Sequence, residues 1–289
     1  MLYRCFCAGD SKMSQLMSSC LNLNSLSINF QPGESNKRPF VFVHGNTQND
    51  TCGKAIIEFF RLRGHTTLSY DLPGHGDSKL DKVDYRFADL IDLNYRVLTL
   101  YQLHNPILCG HSLGGMIQAG TIAQFKLSAA SLILCGSFDG NPILEEKRLQ
   151  GDQGSTIEQS LNDYVAESKQ LFEAQFKYDY FANRQLSDDL VEVINRRYTQ
   201  PDANAANLKT LGSFSARAEL VDMAIPILIL HGVEETVIPK SLIDTMAAHY
   251  KKIRLAWYEG YGHNAFYQAP ELTNDYLAQY YDFINLLNS

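Results

Sequence analysis

The chain has no long apolar run. Its longest, AIPILIL at 224–230, falls far short of the ~20 residues that a bilayer-spanning helix needs. Dense Lys/Arg blocks are also missing, and the formal net charge of the 289 residues is −7. Tracking a phosphate backbone needs a basic stripe, so nucleic-acid binding is not expected. Lys37-Arg38 and Lys147-Arg148 are too short to supply one and read as solvated surface. The six cysteines, at 5, 7, 20, 52, 109 and 135, include no CxxC pair. They form neither a disulfide framework nor a zinc site, and no nearby His or Cys completes the Cys5/Cys7 pair. Cys109 and Cys135 close apolar runs and read as buried thiols. Neither an HxxxH pair, a carboxylate cluster nor a Walker-type loop occurs, so no metal or nucleotide cofactor is expected. Internal repeats and low-complexity segments are absent too. The opening MLYRCFCAGDSK lacks the apolar core of a secretory signal. Residues 1–20 therefore read as an N-terminal extension, with Met13 as an alternative start and the cytoplasm as the expected location.

What is present is the composition of a folded protein: 45% apolar and 20% charged residues. At this length roughly 75% of the unfolded chain's surface can be buried. Leu21–Phe30 alternates apolar and polar residues, which predicts a half-buried strand. Phe40–Val43, Pro106–Cys109, Ser131–Cys135, Ile225–Leu230 and Ile253–Tyr258 are short, largely apolar runs and Thr66–Tyr70 a β-branched one, and all predict strands. Helical spacing fills the gaps at Cys52–Arg63, Arg86–Leu103, from Gly110 to about Phe125, and from Pro270 to Leu287. Strands alternating with helices predict an α/β fold with a mainly parallel sheet. Between about 141 and 207 the pattern changes to helical, with Tyr164, Leu171, Phe172, Phe176, Tyr180 and Phe181 as its apolar residues. This stretch reads as a helical cap inserted into a core formed by 21–140 and 208–289. Its aromatics would either line a pocket or pack the cap down.

Chemistry concentrates at Gly110-His111-Ser112-Leu113-Gly114-Gly115, a GxSxG pattern set between a predicted strand and a predicted helix. A serine at so sharp a turn leaves no room for flanking side chains, which the glycines at 110 and 114 provide for. The helix start beyond Ser112 offers unpaired amides to a developing anion. A serine hydroxyl needs a base. His263, in a glycine-rich loop after the last strand, has the right place for it. His44, His75 and His231 sit at turns where they look structural, and His65, His104 and His249 have no motif context.

Four segments in order, HGN at 44–46, DLPGHGDS at 71–78, GHSLGG at 110–115 and GYGHNAF at 260–266, resemble the α/β-hydrolase superfamily. So does ARAEL at 216–220 ahead of its strand. The resemblance implies a mostly parallel central sheet flanked by helices, with a helical cap. It implies Ser112 as nucleophile, His263 as base, and the amides of Leu113 and Asn46 as the oxyanion hole. The acid falls on Glu235, where relatives carry Asp in an H-G-x-x-D pattern; Asp139 and Glu234 are the alternatives. The DLPGHGDS segment reads as a turn held by Asp71 and Asp77. HGN also resembles the start of haloalkane dehalogenases, whose nucleophile is Asp, so Ser112 argues against that chemistry. The implied activity is cofactor-free cleavage of a carboxylic ester, lactone or thioester of a small to medium, partly apolar molecule. Carbon–carbon hydrolysis or elimination on the same triad, and a weakly catalytic ligand receptor, are the alternatives. A small-molecule substrate is the only partner implied, and the sequence does not specify an oligomeric state.

Overall fold

Seven short strands line up in the order β1-β3-β2-β4-β5-β6-β7 in the computed structural model, which describes residues 21–82, 84–150, 207 and 211–285. They are β1 (Ile28–Gln31), β2 (Phe40–Val43), β3 (Thr67–Tyr70), β4 (Ile107–His111), β5 (Ser131–Cys135), β6 (Ile227–Gly232) and β7 (Ile253–Tyr258). Only β1 runs antiparallel, against β3; every other pairing is parallel. All residues of β2, β4, β5 and β6 are buried. Their alternate side chains feed two separate cores. Val41, Val43, Leu108, Leu132, Leu134 and Ile229 face one, and Phe40, Phe42, Ile107, Ile133, Leu228 and Leu230 face the other. A parallel sheet covered on both faces demands such continuous apolar runs.

Helix α1 (Lys54–Arg61) covers the second face with Ile56, Phe59 and Phe60, leaving Lys54 and Arg61 exposed. On the first face lie α2 (Phe87–Leu100) and α3 (Leu113–Phe125). Helix α3 is buried from Leu113 through Ala123, so it has no polar face to read.

Two expectations are corrected. The strand predicted from Leu21 begins only at Ile28, because Asn22 Oδ1 accepts the Asn24 amide at 3.0 Å and starts a 3-10 turn over Leu23–Ser25. Side-chain competition for the backbone thus overrides the alternation there. The final helix is two, because Tyr280 (φ −105°, ψ 11°) leaves helical geometry and ends the ladder.

After β5 come α4 (Pro142–Gln150) and, further along the chain, the buried Asn207 and α5 (Arg217–Met223). Residues 151–206, including Tyr164, Leu171, Phe172, Phe176, Tyr180 and Phe181, lie outside the described residues, as does the extension 1–20. The residues just after β5 are stitched to those just before α5. A Gly140–Ser215 bridge is flanked by Asn141 N–H to Phe214 O at 2.9 Å and Ala216 N–H to Asp139 O at 2.8 Å. After β6 come α6 (Lys240–Ala247) and, beyond β7, α7 (Ala265–Gln268), α8 (Pro270–Gln279) and α9 (Tyr281–Ile284). The segment between β7 and α7 carries His263.

Candidate active site

Ser112 sits between the end of β4 and the first residue of α3, with φ 48° and ψ −119°. A non-glycine residue held there stores of order 1–3 kcal/mol of strain, which the surroundings must over-determine. They do. Ser112 N–H donates to Cys135 O at 3.0 Å, and Ser112 O accepts from Ser137 Oγ at 2.6 Å and Gly115 N–H at 3.0 Å. The predicted need for glycine is met: a Cβ on Gly110 would lie 2.4 Å from Gly114 C, and one on Gly114 2.1 Å from Val43 O. As the first residue of α3, Leu113 has an amide with no intrahelical acceptor. The His44–Asn46 loop after β2 closes on the same serine, since a Cβ on Gly45 would be 3.1 Å from Ser112 Cβ. Ser112 is thus flanked by the two segments whose amides were expected to hold an anion.

The three candidate acids separate clearly. Glu235 Oε2 accepts the Nδ1–H of His263 at 2.5 Å, both side chains being buried. Its other oxygen accepts the amides of Val237 at 2.6 Å and Ile238 at 3.2 Å. Burial pushes the Glu235 carboxyl up, but the pull of His263, with help from His231 and the Ile238 amide, leaves it below its usual value. Asp139 is committed elsewhere. Arg217 Nε and Nη2 both reach it at 2.9 Å, and Tyr250 Oη donates to it at 2.7 Å. Glu234 is exposed. Gly136, with φ 47°, passes so close to the His263 loop that a Cβ would fall 2.7 Å from His263 O.

His44 and His231 bond to backbone groups around them. His44 Nε2 accepts the Leu72 amide at 2.8 Å, and His231 Nε2–H donates to Ile238 O at 2.9 Å. Asp71 accepts the amides of Asp50 and Asp77, each at 2.9 Å, and so holds the DLPGHGDS turn. Asn46 is anchored by its side chain: its Oδ1 accepts from Asn207 Nδ2 at 3.0 Å and lies 3.3 Å from His75 Nε2. Tyr85 Oη in turn donates to Asn207 Oδ1. Sequence reasoning missed Asn207, Tyr85, Gly136, Gln48 and His111 as neighbours of the site. His111 lies inside the GHSLGG motif, yet nothing in the motif marks that position as more than a spacer. No cluster of three or more potential metal ligands occurs among the described residues, and no helix among them is long and apolar enough to cross a membrane.

These features can be set beside known proteins. A family model described as Alpha/beta hydrolase family matches residues 40–276. The AB hydrolase superfamily protein YisY of Bacillus subtilis (strain 168) is 26% identical over 256 residues, covering 84% of this chain and 91% of that protein. The pimeloyl-(acyl-carrier protein) methyl ester esterase of Nitrosomonas europaea is 26% identical over 245 residues, covering 80% of this chain and 90% of that protein. Among solved structures, the esterase EaEST from Exiguobacterium antarcticum superposes with a TM-score of 0.74 at 20% identity, over 88% of this chain and 94% of that one. At that identity the likeness is one of fold.

Proposed function

Because this chain belongs to the alpha/beta hydrolase family, we propose that it is a serine hydrolase cleaving a carboxylic ester, lactone or thioester through an acyl-enzyme. The observation that carries this reading is the buried Glu235–His263 pair beside the strained Ser112 turn. Glu235 accepts a hydrogen bond from the Nδ1–H of His263, which leaves Nε2 as the basic nitrogen. Ser112 Oγ attacks the substrate carbonyl carbon as its proton passes to His263 Nε2. The oxyanion is held by the amides of Leu113 and Asn46, whose loop is pinned through Asn207. Collapse breaks the bond to the leaving oxygen or sulfur, which departs with the proton from His263. Water, deprotonated by the same nitrogen, then releases the acid and restores Ser112. The esterase name of the Nitrosomonas relative points the same way.

The test is turnover of p-nitrophenyl esters of graded acyl length, wild type beside Ser112→Ala. Ester hydrolysis that falls on the order of 10⁴–10⁶-fold in the variant is the expected result. The chain-length profile then sizes the acyl pocket. Folded wild-type protein with no turnover on any ester would overturn the reading.

A further inference from the structure

His111, the residue before Ser112, is buried with both ring nitrogens against protein atoms. Nε2 lies 3.1 Å from the carbonyl oxygen of His263, and Nδ1 lies 2.7 Å from Gln48 Oε1. The ring lies tilted against those of His263 and Phe266, at 53° and 36°, with centroids 4.8 and 4.9 Å away. Gly45 makes room for it, since a Cβ there would fall 2.6 Å from Nδ1. Gln48 is also buried, and its Nε2 lies 3.0 Å from Asn264 Oδ1 and 3.2 Å from Tyr267 Oη. Gln48, from the loop after β2, and His111, from the serine turn, therefore contact Asn264 and His263 in the histidine loop. Glu235 fixes only the far edge of the His263 ring.

We propose that His111 is a positioning residue for His263, donating Nε2–H to the His263 carbonyl so that the base stays in register with Ser112. The inference rests on the reading of His263 as the base. His111 has no ring edge left for substrate, so it acts through His263 and moves no proton itself. Burial and the neighbouring His263 hold its pKa well below the usual value, so the ring is neutral. A neutral ring has one N–H. With that proton on Nε2, Nδ1 is an acceptor and selects the NH₂ of Gln48, a half-turn of the terminal amide that leaves its outline unchanged. The same half-turn at Asn264 lets its NH₂ meet the Gln48 oxygen. It thereby gives the buried Asn264 Nδ2, otherwise without a hydrogen-bond partner, an acceptor, and turns Oδ1 to the place that Nδ2 leaves.

Three variants separate the two ring nitrogens. His111→Gln carries an amide nitrogen at the reach of Nε2, His111→Asn carries one at the reach of Nδ1, and His111→Phe carries neither. Measured on a p-nitrophenyl ester, His111→Gln is expected to keep kcat within about threefold. His111→Asn and His111→Phe should lose about 10–100-fold in kcat with KM within about threefold, the scale of an ångström's misplacement. Thermal melts check that each variant is folded, and if His111→Phe is not, the Gln/Asn pair decides. A readout independent of turnover is the low-field NMR resonance of the His263 Nδ1 proton, assigned by its loss in Glu235→Gln. It should hold its place in His111→Gln and move or broaden in His111→Asn. Equal kcat in the Gln and Asn variants, or a loss confined to KM, would overturn the proposal. If no wild-type ester turnover is found, the hydrolase reading fails separately. The resonance then decides alone, and its invariance in both variants rejects the positioning role.

Discussion

A glutamate stands where the family pattern has aspartate, and its extra methylene must be accommodated. The structure does so by clamping Glu235 Oε1 under the amides of Val237 and Ile238, while Ile238 O is tied back to His231 at the end of β6. The carboxylate is thus held from one oxygen and meets His263 with the other. Glu235→Asp cannot span from that clamp to His263, so kcat should fall roughly tenfold with little change in KM. Glu235→Gln presents an amide that favours the wrong tautomer of His263 and should cost on the order of 10³–10⁴ in kcat. Steady-state kinetics on a p-nitrophenyl ester check both, and near-wild-type turnover in Glu235→Gln would remove Glu235 from the mechanism. At this scale the sequence is legible unevenly. Ser112 and His263 stand out because glycines must surround them. Choosing among Glu235, Glu234 and Asp139 needs the direction of each carboxylate, which an address in the chain does not carry. His111 is illegible for a similar reason: its partners Gln48 and His263 are 63 and 152 residues away.

Among the elements, α4, α5 and the segment after β5 are joined by one ion-pair cluster. Arg217, the first residue of α5, reaches Asp139 beyond β5 and, at 3.0 Å, Glu145 on α4. The Asp139 side chain is only 1% exposed, so it cannot fall back on solvent if the guanidinium is lost. Arg217→Ala would leave it with Tyr250 as its remaining side-chain donor, and breaking a buried pair this way costs about 3–5 kcal/mol. A drop of several degrees in melting temperature is expected, with partial recovery in the double variant Asp139→Asn/Arg217→Ala. An unchanged melt for Arg217→Ala would show that the cluster adds nothing. The regular strands of the core are legible in the sequence, because β2, β4, β5 and β6 are buried along their whole length. The start of β1 was not, because the Asn22 side chain competes with the sheet for backbone amides. The stitching of 139–141 to 212–217 was equally hidden, being set by backbone hydrogen bonds that no residue pattern announces.

Over the whole molecule, buried histidines set the response to acid. His44, His65, His75, His111 and His231 all have pKa values lowered by burial, His75 to about 4. Each binds its proton more readily in the unfolded chain, so folding loses stability as pH falls below the ordinary histidine value of ~6.5. For His75 alone the loss amounts to about 3 kcal/mol once pH has dropped through its folded value. Glu235, with its pKa lowered, adds to the loss as pH falls through its own folded value. Asp71 opposes them. Burial, against the help of the Asp77 and Asp50 amides, raises it to about 6, so its contribution to stability is present at low pH and lost as pH rises through about 6. Five histidines outweigh one aspartate. The urea midpoint should therefore fall steadily from pH 7 to pH 5, and Asp71→Asn should steepen that fall by removing the opposing group. A midpoint that rises on acidification would mean that Asp71, rather than the histidines around the site, governs the fold's tolerance of pH.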